Sequence, residues 1–391
     1  MSSFANLGVP EDLVDVLSAR DVTQPFPIQE ATIPDLLDGR DVCGRAPTGS
    51  GKTIAFGVPL VARVERAVSK RPRALVLAPT RELAAQIERE LSPLAAARRR
   101  SVFAIYGGVG YEPQRRALRK GVDVLVACPG RLEDLIQQRL VDLSDVDIVV
   151  IDEADRMADM GFLPAVRRIV DATADDRQTM LFSATLDGDV AVLTRAYQHD
   201  PARHEVGDPE NDAMDADHRF ETVELHDRLD RVAEVVDAEG ATIVFCRTRR
   251  GADKVAKKLG HAGVEAAAIH GGRSQNQRDR ALARFAGGSV DALVATDVAA
   301  RGIHVDDVAC VVHFDPPVDA KTYVHRSGRT ARKGASGVVV SLVASDQRRD
   351  SVKLQRELGL APPAPKQERR RRPAGKPSRR RNRSRSQRRA G

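Results

Sequence analysis

Twelve short apolar runs punctuate the chain, each closed by small or polar residues and followed by a stretch with helical spacing. In the first half they fall at residues 40–44, 74–78, 102–106, 123–127, 147–151 and 179–183. In the second they fall at 221–225, 241–246, 264–270, 291–296, 308–314 and 337–343. The runs are mostly continuous rather than alternating, the pattern of strands buried on both faces, and helical stretches separate them at roughly 25–35 residues. They predict an α/β fold with two parallel sheets in tandem. Residues 4–19, with Leu13, Val16 and Leu17 at helical spacing, read as an amphipathic lead-in.

A length of 391 residues exceeds one ordinary core and fits this two-unit reading. Periodicity fails over an acidic stretch containing Gly207 and Pro209, which sets the expected boundaries: a first domain at 1–207, a linker at 208–217 and a second domain at 218–361. Residues 362–391 are rich in Arg, Ser and Pro, contain no aromatic residue, and are expected to be disordered.

Charge sharpens that division. The chain carries a formal +7, yet residues 366–391 hold 13 Lys or Arg against one acid, leaving 49 bases against 54 acids elsewhere. The basic character belongs to the tail, which is expected to attract a polyanion, while the body must bind one through local patches. Cys43, Cys128, Cys246 and Cys310 are far apart with no C-x-x-C spacing, so they read as reduced thiols. No apolar run approaches the roughly 20 residues of a membrane span, and the expectation is a soluble, cytoplasmic protein with no membrane partner.

The candidate chemistry centres on residues 46–53, A-P-T-G-S-G-K-T, between the first strand and a helical pattern. Gly49 and Gly51 would let the backbone turn so that successive N–H groups point at phosphate oxygens, with Ala46, Thr48 and Ser50 in the same ATP-binding loop. Lys52 would reach the outer phosphates and Thr53 would offer a hydroxyl to Mg²⁺. Ala46 stands where the usual pattern has glycine. The run at 147–151 ends in Asp152, Glu153, Ala154 and Asp155, an acid cluster at a buried strand end, where a second Mg²⁺ ligand and a base for water belong. ATP and Mg²⁺ are therefore the expected ligands. Gln29, after Pro25 and Pro27, is placed to read a base edge.

Arg81 after the strand at 74–78, Gly107 and Gly108 after 102–106, and Gly130 and Arg131 after 123–127 form three strand-end turns on one sheet edge, a plausible track for a sugar-phosphate backbone. Ser183 and Thr185 would lie near the acid cluster if their strands are neighbours. In the second half, H-R-S-G-R-T-A-R at 325–332 sets Arg326, Arg329 and Arg332 at helical spacing on about one face. Arginines donated across a cleft could stabilise transition-state charge.

Taken in order, PFPIQ, APTGSGKT, PTREL, GG, PGR, DEAD, SAT, HGGRSQNQR, ATDVAARG and HRSGRTAR give the chain its resemblance to the DEAD-box RNA helicases of superfamily 2, bacterial type, over residues 4–345. The resemblance implies two RecA-like domains that bind ATP and RNA across their cleft. It gives Gln29 and Gly302 to ATP, Asp152 to Mg²⁺ partly through water, and Glu153 to the attacking water. Arg329 and Arg332 become arginine fingers, and Asp155, Ser183, Thr185 and His325 couple ATP to closure. RNA contacts fall to Arg81, Gly108, Gly130, Arg131, Gln275, Arg278 and Thr296, with a ribosome or RNA-degradation assembly as the wider partner. Val22 stands where the family has an aromatic, Cys128 where it has Thr and His304 where it has Asp. The implied activity is ATP-driven local unwinding of short RNA duplexes; an ATP-gated RNA clamp or assembly factor uses the same residues. A DNA helicase is disfavoured by DEAD and HRSGRTAR together.

Overall fold

In the computed structural model, residues 3–47, 49–186, 188–207, 216–300, 308–330 and 337–360 are described. The first half builds a seven-stranded sheet of β1 (Val42–Arg45), β2 (Ala74–Leu77), β3 (Val102–Ile105), β4 (Val124–Ala127), β5 (Ile148–Asp152), β6 (Gln178–Ser183) and β7 (Ala202–Glu205). Its spatial order is β3-β4-β2-β5-β6-β1-β7, and every pairing is parallel. Helices cover both faces, which is why the strands lack alternation. Ala74 and Val76 of β2 enter one core cluster, while Leu75 and Leu77 enter the other. Because all strands run the same way, their carboxyl ends share one edge, where ligands of open α/β sheets bind.

The second half repeats the plan with six parallel strands, β8 (Asp217–Thr222), β9 (Thr242–Phe245), β10 (Ala266–Ile269), β11 (Ala292–Ala295), β12 (Cys310–His313) and β13 (Val338–Val343). Their order is β10-β11-β9-β12-β13-β8. Ile243 and Phe245 face one core cluster and Val244 the other. Among the described residues, no helix is long and apolar enough to cross a membrane.

Four local expectations are corrected. The lead-in is a 3-10 turn (Ala5–Leu7) and a helix (Glu11–Ser18), because Gly8, at φ 83°, and Pro10 interrupt it. Strand β7 forms over A-R-H-E, a polar edge strand with no apolar signature, held by β1. Strand β8 lies four residues earlier than the run at 221–225, since His218 and Phe220 pack on Tyr323 whereas Leu225 is 73% exposed. The helix carrying the second half's arginines, Ala320–Ser327, stops before Arg329. Of the expected linker, residues 208–215 lie outside the described residues, as does the basic tail.

Candidate active site

The loop after β1 is shaped by two left-handed glycines, Gly49 at φ 85° and Gly51 at φ 86°. At Gly51 a side chain would also collide with Gln29 and Phe26. Ala46, where glycine is usual, is buried, and its N–H donates to the Ser183 carbonyl at 3.1 Å, extending the β1–β6 ladder by one bond. The Lys52 Nζ, largely buried at the start of the helix Lys52–Arg63, donates to the Ala46 and Pro47 carbonyls at 2.8 and 2.7 Å. Ser50 Oγ donates to the Pro47 carbonyl at 2.8 Å, leaving Thr53 half-buried at the first turn of that helix. This is a glycine-turned loop closed by one buried ammonium at a helix N-terminus, a setting suited to phosphate.

Gln29 ties the entry helix to this loop. Its Oε1 accepts from the Phe26 N–H at 2.9 Å and its Nε2 donates to the Gly51 carbonyl at 2.9 Å. One lone pair and one N–H remain beyond those two bonds. Val22 packs into the first core cluster, and its N–H donates to the Leu17 carbonyl at 3.0 Å.

The acids stand next to the loop because β5 and β1 flank β6. Asp152 is the last residue of β5, buried, and its Oδ1 accepts from the Glu153 N–H at 3.0 Å. Glu153 adopts φ 53°, ψ 51°, a left-handed conformation that a side chain seldom takes and that is concentrated at functional sites. Its Oε2 meets Arg156 Nη1 at 2.6 Å in a buried pair. Ser183, at the end of β6, accepts from the Asp155 N–H at 3.2 Å and the Thr185 N–H at 3.4 Å, and Thr185 Oγ1 donates to Asp155 Oδ2 at 3.4 Å. The expected juxtaposition of Ser183 and Thr185 with the acid turn is therefore present. Asp152 and Thr53 supply one carboxylate and one hydroxyl, and among the described residues no group of three or more His, Cys, Asp or Glu could hold an ion. Such a sparse donor set suits Mg²⁺, which usually keeps water and brings substrate phosphates with it.

On the far side of the edge, β2, β4 and β3 are neighbours, so the three strand-end turns converge. Thr80 Oγ1 caps the helix Arg81–Ala97 by accepting from Leu83 N–H at 3.3 Å. The Arg81 guanidinium lies over Gly108, where φ is 82° and any side chain would strike it. Arg131 donates through both Nη atoms to the Val109 carbonyl at 3.3 Å, and its guanidinium sits 4.0 Å from the Tyr111 ring centroid. Gly130 has open space where a side chain would be. Cys128 precedes the helix Pro129–Gln137 without capping it, so the hydroxyl lost there is also a lost cap. Burial, with Glu82 nearby, pushes its thiol up to about 12, so it stays protonated.

The second half closes over this edge. Gln275 Nε2 and Arg278 Nη2 both donate to Glu82 Oε1 at 3.0 Å, and all three residues are buried. Burial lowers the Arg278 pKa and Glu82 opposes that shift. Gln275 and Arg278, which the resemblance gives to RNA, are thus engaged across the cleft with an acid of the PTREL turn that sequence reasoning did not single out. An acid among basic strand-end turns was the available signal. Thr296, at the end of β11, is buried and its N–H donates to the Ile269 carbonyl at 3.3 Å.

His325 and Arg329 reach the acid turn. Burial lowers the His325 pKa while Asp155 draws it back up, and burial lowers the Arg329 pKa while Glu153 opposes it. Arg326, expected on the same face as Arg329, instead grips Asp297 with two bonds of 2.6 and 2.8 Å inside its own half. Lys321 Nζ adds a more exposed pair to Asp159 at 2.8 Å. Thr48, Gly302, His304 and Arg332 lie outside the described residues.

Comparison with known proteins agrees with this geometry. The family described as DEAD/DEAH box helicase matches residues 26–193, and the helicase conserved C-terminal domain matches 227–334. The DEAD-box ATP-dependent RNA helicase 3A, chloroplastic, of Zea mays is 39% identical, covering 93% of this chain and 50% of that protein. The ATP-dependent RNA helicase CshA of Listeria monocytogenes is 37% identical, covering 88% and 66%. The chain spans about half the length of the first of these relatives. Among solved structures, S. cerevisiae Dbp5 bound to RNA and ADP BeF3 is similar at a TM-score of 0.81 and 29% identity, over 93% of this chain and 95% of that one. A DEAD box protein from Methanococcus jannaschii is 31% identical over 92% and 97%, with a TM-score of 0.54.

Proposed function

The chain belongs to the DEAD-box helicase family, and from that premise we propose that it is an ATP-dependent RNA helicase, an RNA-stimulated ATPase that opens short duplexes locally. The observation that carries this reading is Glu82 held by Gln275 and Arg278. That contact joins the RNA-facing edge of the first half to the second half, on the same closure that brings Arg329 toward Glu153.

In this reading ATP is the substrate, its phosphates lying in the loop around Gly49, Ser50, Gly51 and Lys52 and its base near Gln29. Asp152 and Thr53 would hold Mg²⁺, which supplies charge neutralisation on the phosphates. Glu153, with Arg156 fixing its carboxylate, orients the attacking water and accepts its proton. Arg329, and Arg332 by the same motif, bring positive charge to the reacting phosphate only when the cleft is closed. Ser183 and Thr185 hold Asp155 in register with that acid turn, and His325 reads its position from the other half.

RNA would lie along Arg81, Gly108, Gly130 and Arg131, with Thr296 on the opposing side. Contacts of this kind grip backbone and 2′-hydroxyls rather than base edges, which gives sequence tolerance and preference for RNA over DNA. A ribosome or an RNA-degradation assembly is the partner context to seek, by crosslinking in cells.

The test is displacement of a short RNA strand from a duplex in the presence of ATP and an excess trap strand. Displacement that requires ATP and disappears in Glu153→Gln supports the helicase. RNA-stimulated hydrolysis without displacement would replace it by an ATP-gated clamp.

A further inference from the structure

Resting on the assignment of ATP to the loop at 46–53, we infer that Phe26 supplies the aromatic face for the nucleotide base that the family places seven residues before the glutamine. At that position this chain has Val22, a half-buried aliphatic side chain packed against the first core cluster. Val22 offers at most a small aliphatic surface to a base, since its backbone N–H is held by Leu17 and its side chain is partly packed.

Phe26 stands in the opposite situation. It is a large aromatic left 44% exposed in a half whose other phenylalanines are more enclosed, and it sits at the rim of the phosphate loop. A methyl group built on Gly51 would come within 2.6 Å of Phe26 Cδ2. The backbone that carries the ring is fixed there by local chemistry. Pro25 and Pro27 restrict the backbone on either side, and Phe26 itself is extended at φ −76°, ψ 159° as the residue before the helix Pro27–Leu37. Gln29 Oε1 accepts from its N–H at 2.9 Å, and the same amide donates to Gly51.

One side chain therefore orders both the aromatic ring and the phosphate loop, so a base reaching the free edge of Gln29 meets the Phe26 ring beside it. Leaving such a ring exposed costs hydrophobic burial unless a ligand covers it, and an aromatic face next to a base-reading amide is the usual way to hold a purine. The geometry assigns Phe26 the role of base contact and makes it a determinant of purine preference, because a purine offers the larger stacking surface.

The experiment titrates the full chain calorimetrically with ATP, UTP and inorganic tripolyphosphate, comparing Phe26→Ala, Phe26→Trp, Val22→Ala and Lys52→Ala. Phe26→Ala is expected to weaken ATP by about five-fold or more, narrow the preference for ATP over UTP, and leave tripolyphosphate unchanged. Phe26→Trp should keep ATP affinity, and Val22→Ala should leave the ratio of ATP to tripolyphosphate affinity unchanged. Lys52→Ala should weaken all three ligands. ATP affinity untouched in Phe26→Ala, or an equal loss for ATP and tripolyphosphate, overturns the role of Phe26. ATP affinity untouched in Lys52→Ala instead overturns the location of the nucleotide.

Discussion

In the proposed mechanism Glu153 shows how much of the chemistry rests on single side chains. It is held in a left-handed backbone by the turn after β5 and fixed by Arg156, so its carboxylate has one orientation. Replacing it by Gln keeps shape and hydrogen bonding but removes the carboxylate proposed as the base. ATP turnover should fall at least about 100-fold while ATP and RNA binding persist; near-native turnover in a steady-state assay would remove this role. Tyr111 makes a parallel case on the RNA side, where its ring lies under the Arg131 guanidinium. Tyr111→Ala should weaken RNA binding about two- to five-fold through a loosened Arg131, with ATP affinity unchanged. Tyr111→Phe retains the face and should restore RNA binding, which a fluorescence anisotropy titration would read.

At the scale of elements, most of what positions the site was legible and the exceptions have physical reasons. Buried parallel strands announce themselves as apolar runs, so β2, β4, β5, β9, β11 and β12 followed from runs dominated by Val, Ile, Leu and Ala. Strand β7 did not, because an edge strand of Ala, Arg, His and Glu is stabilised by its ladder to β1 rather than by side-chain burial. The end of the helix at Ser327 was hidden by arginines whose spacing continues beyond it. Gln275 and Arg278 could not be given to Glu82 because the pairing spans two halves and leaves no local trace. Its energetic weight is also set by burial. Removing one partner of a buried ion pair costs about 3–5 kcal/mol, whereas an exposed pair such as Lys321 with Asp159 contributes about 0–1 kcal/mol. Glu82→Ala should therefore abolish RNA-stimulated hydrolysis with little change in ATP binding, and Lys321→Ala should scarcely matter. Comparable losses in both variants would contradict that ranking.

Across the whole molecule, closure and charge decide when the chemistry runs. His325 is half-buried within electrostatic reach of Asp155, Asp159, Lys321 and Arg329, and its burial, which the proposed cycle ties to closure, depresses its pKa. The open state then binds the proton more readily, so the closed state's share of stability is present above about pH 6.5 and fades as pH falls below it. Interdomain energy transfer with ATP analogue and RNA should drop between pH 7.5 and 5.5, and less so in His325→Gln.

The basic tail, outside the described residues, enters through charge alone: with +12 beside a body of −5, we propose that it acts as an RNA tether. Truncation after Leu360 should flatten the salt dependence of RNA binding, whose slope is about −0.7 per phosphate neutralised on single strands, and raise the RNA needed for half-maximal hydrolysis. Turnover at saturating RNA should be unchanged; a collapse there would place the tail in the catalytic fold. The central claim, that RNA closes two halves to complete an ATPase, is tested most directly by steady-state ATP hydrolysis of the full chain and of Arg329→Ala, with and without single-stranded RNA. The account predicts strong stimulation by RNA, little by DNA of the same sequence, and none in Arg329→Ala. Hydrolysis that is equally fast without RNA, or that survives in Arg329→Ala, would contradict it.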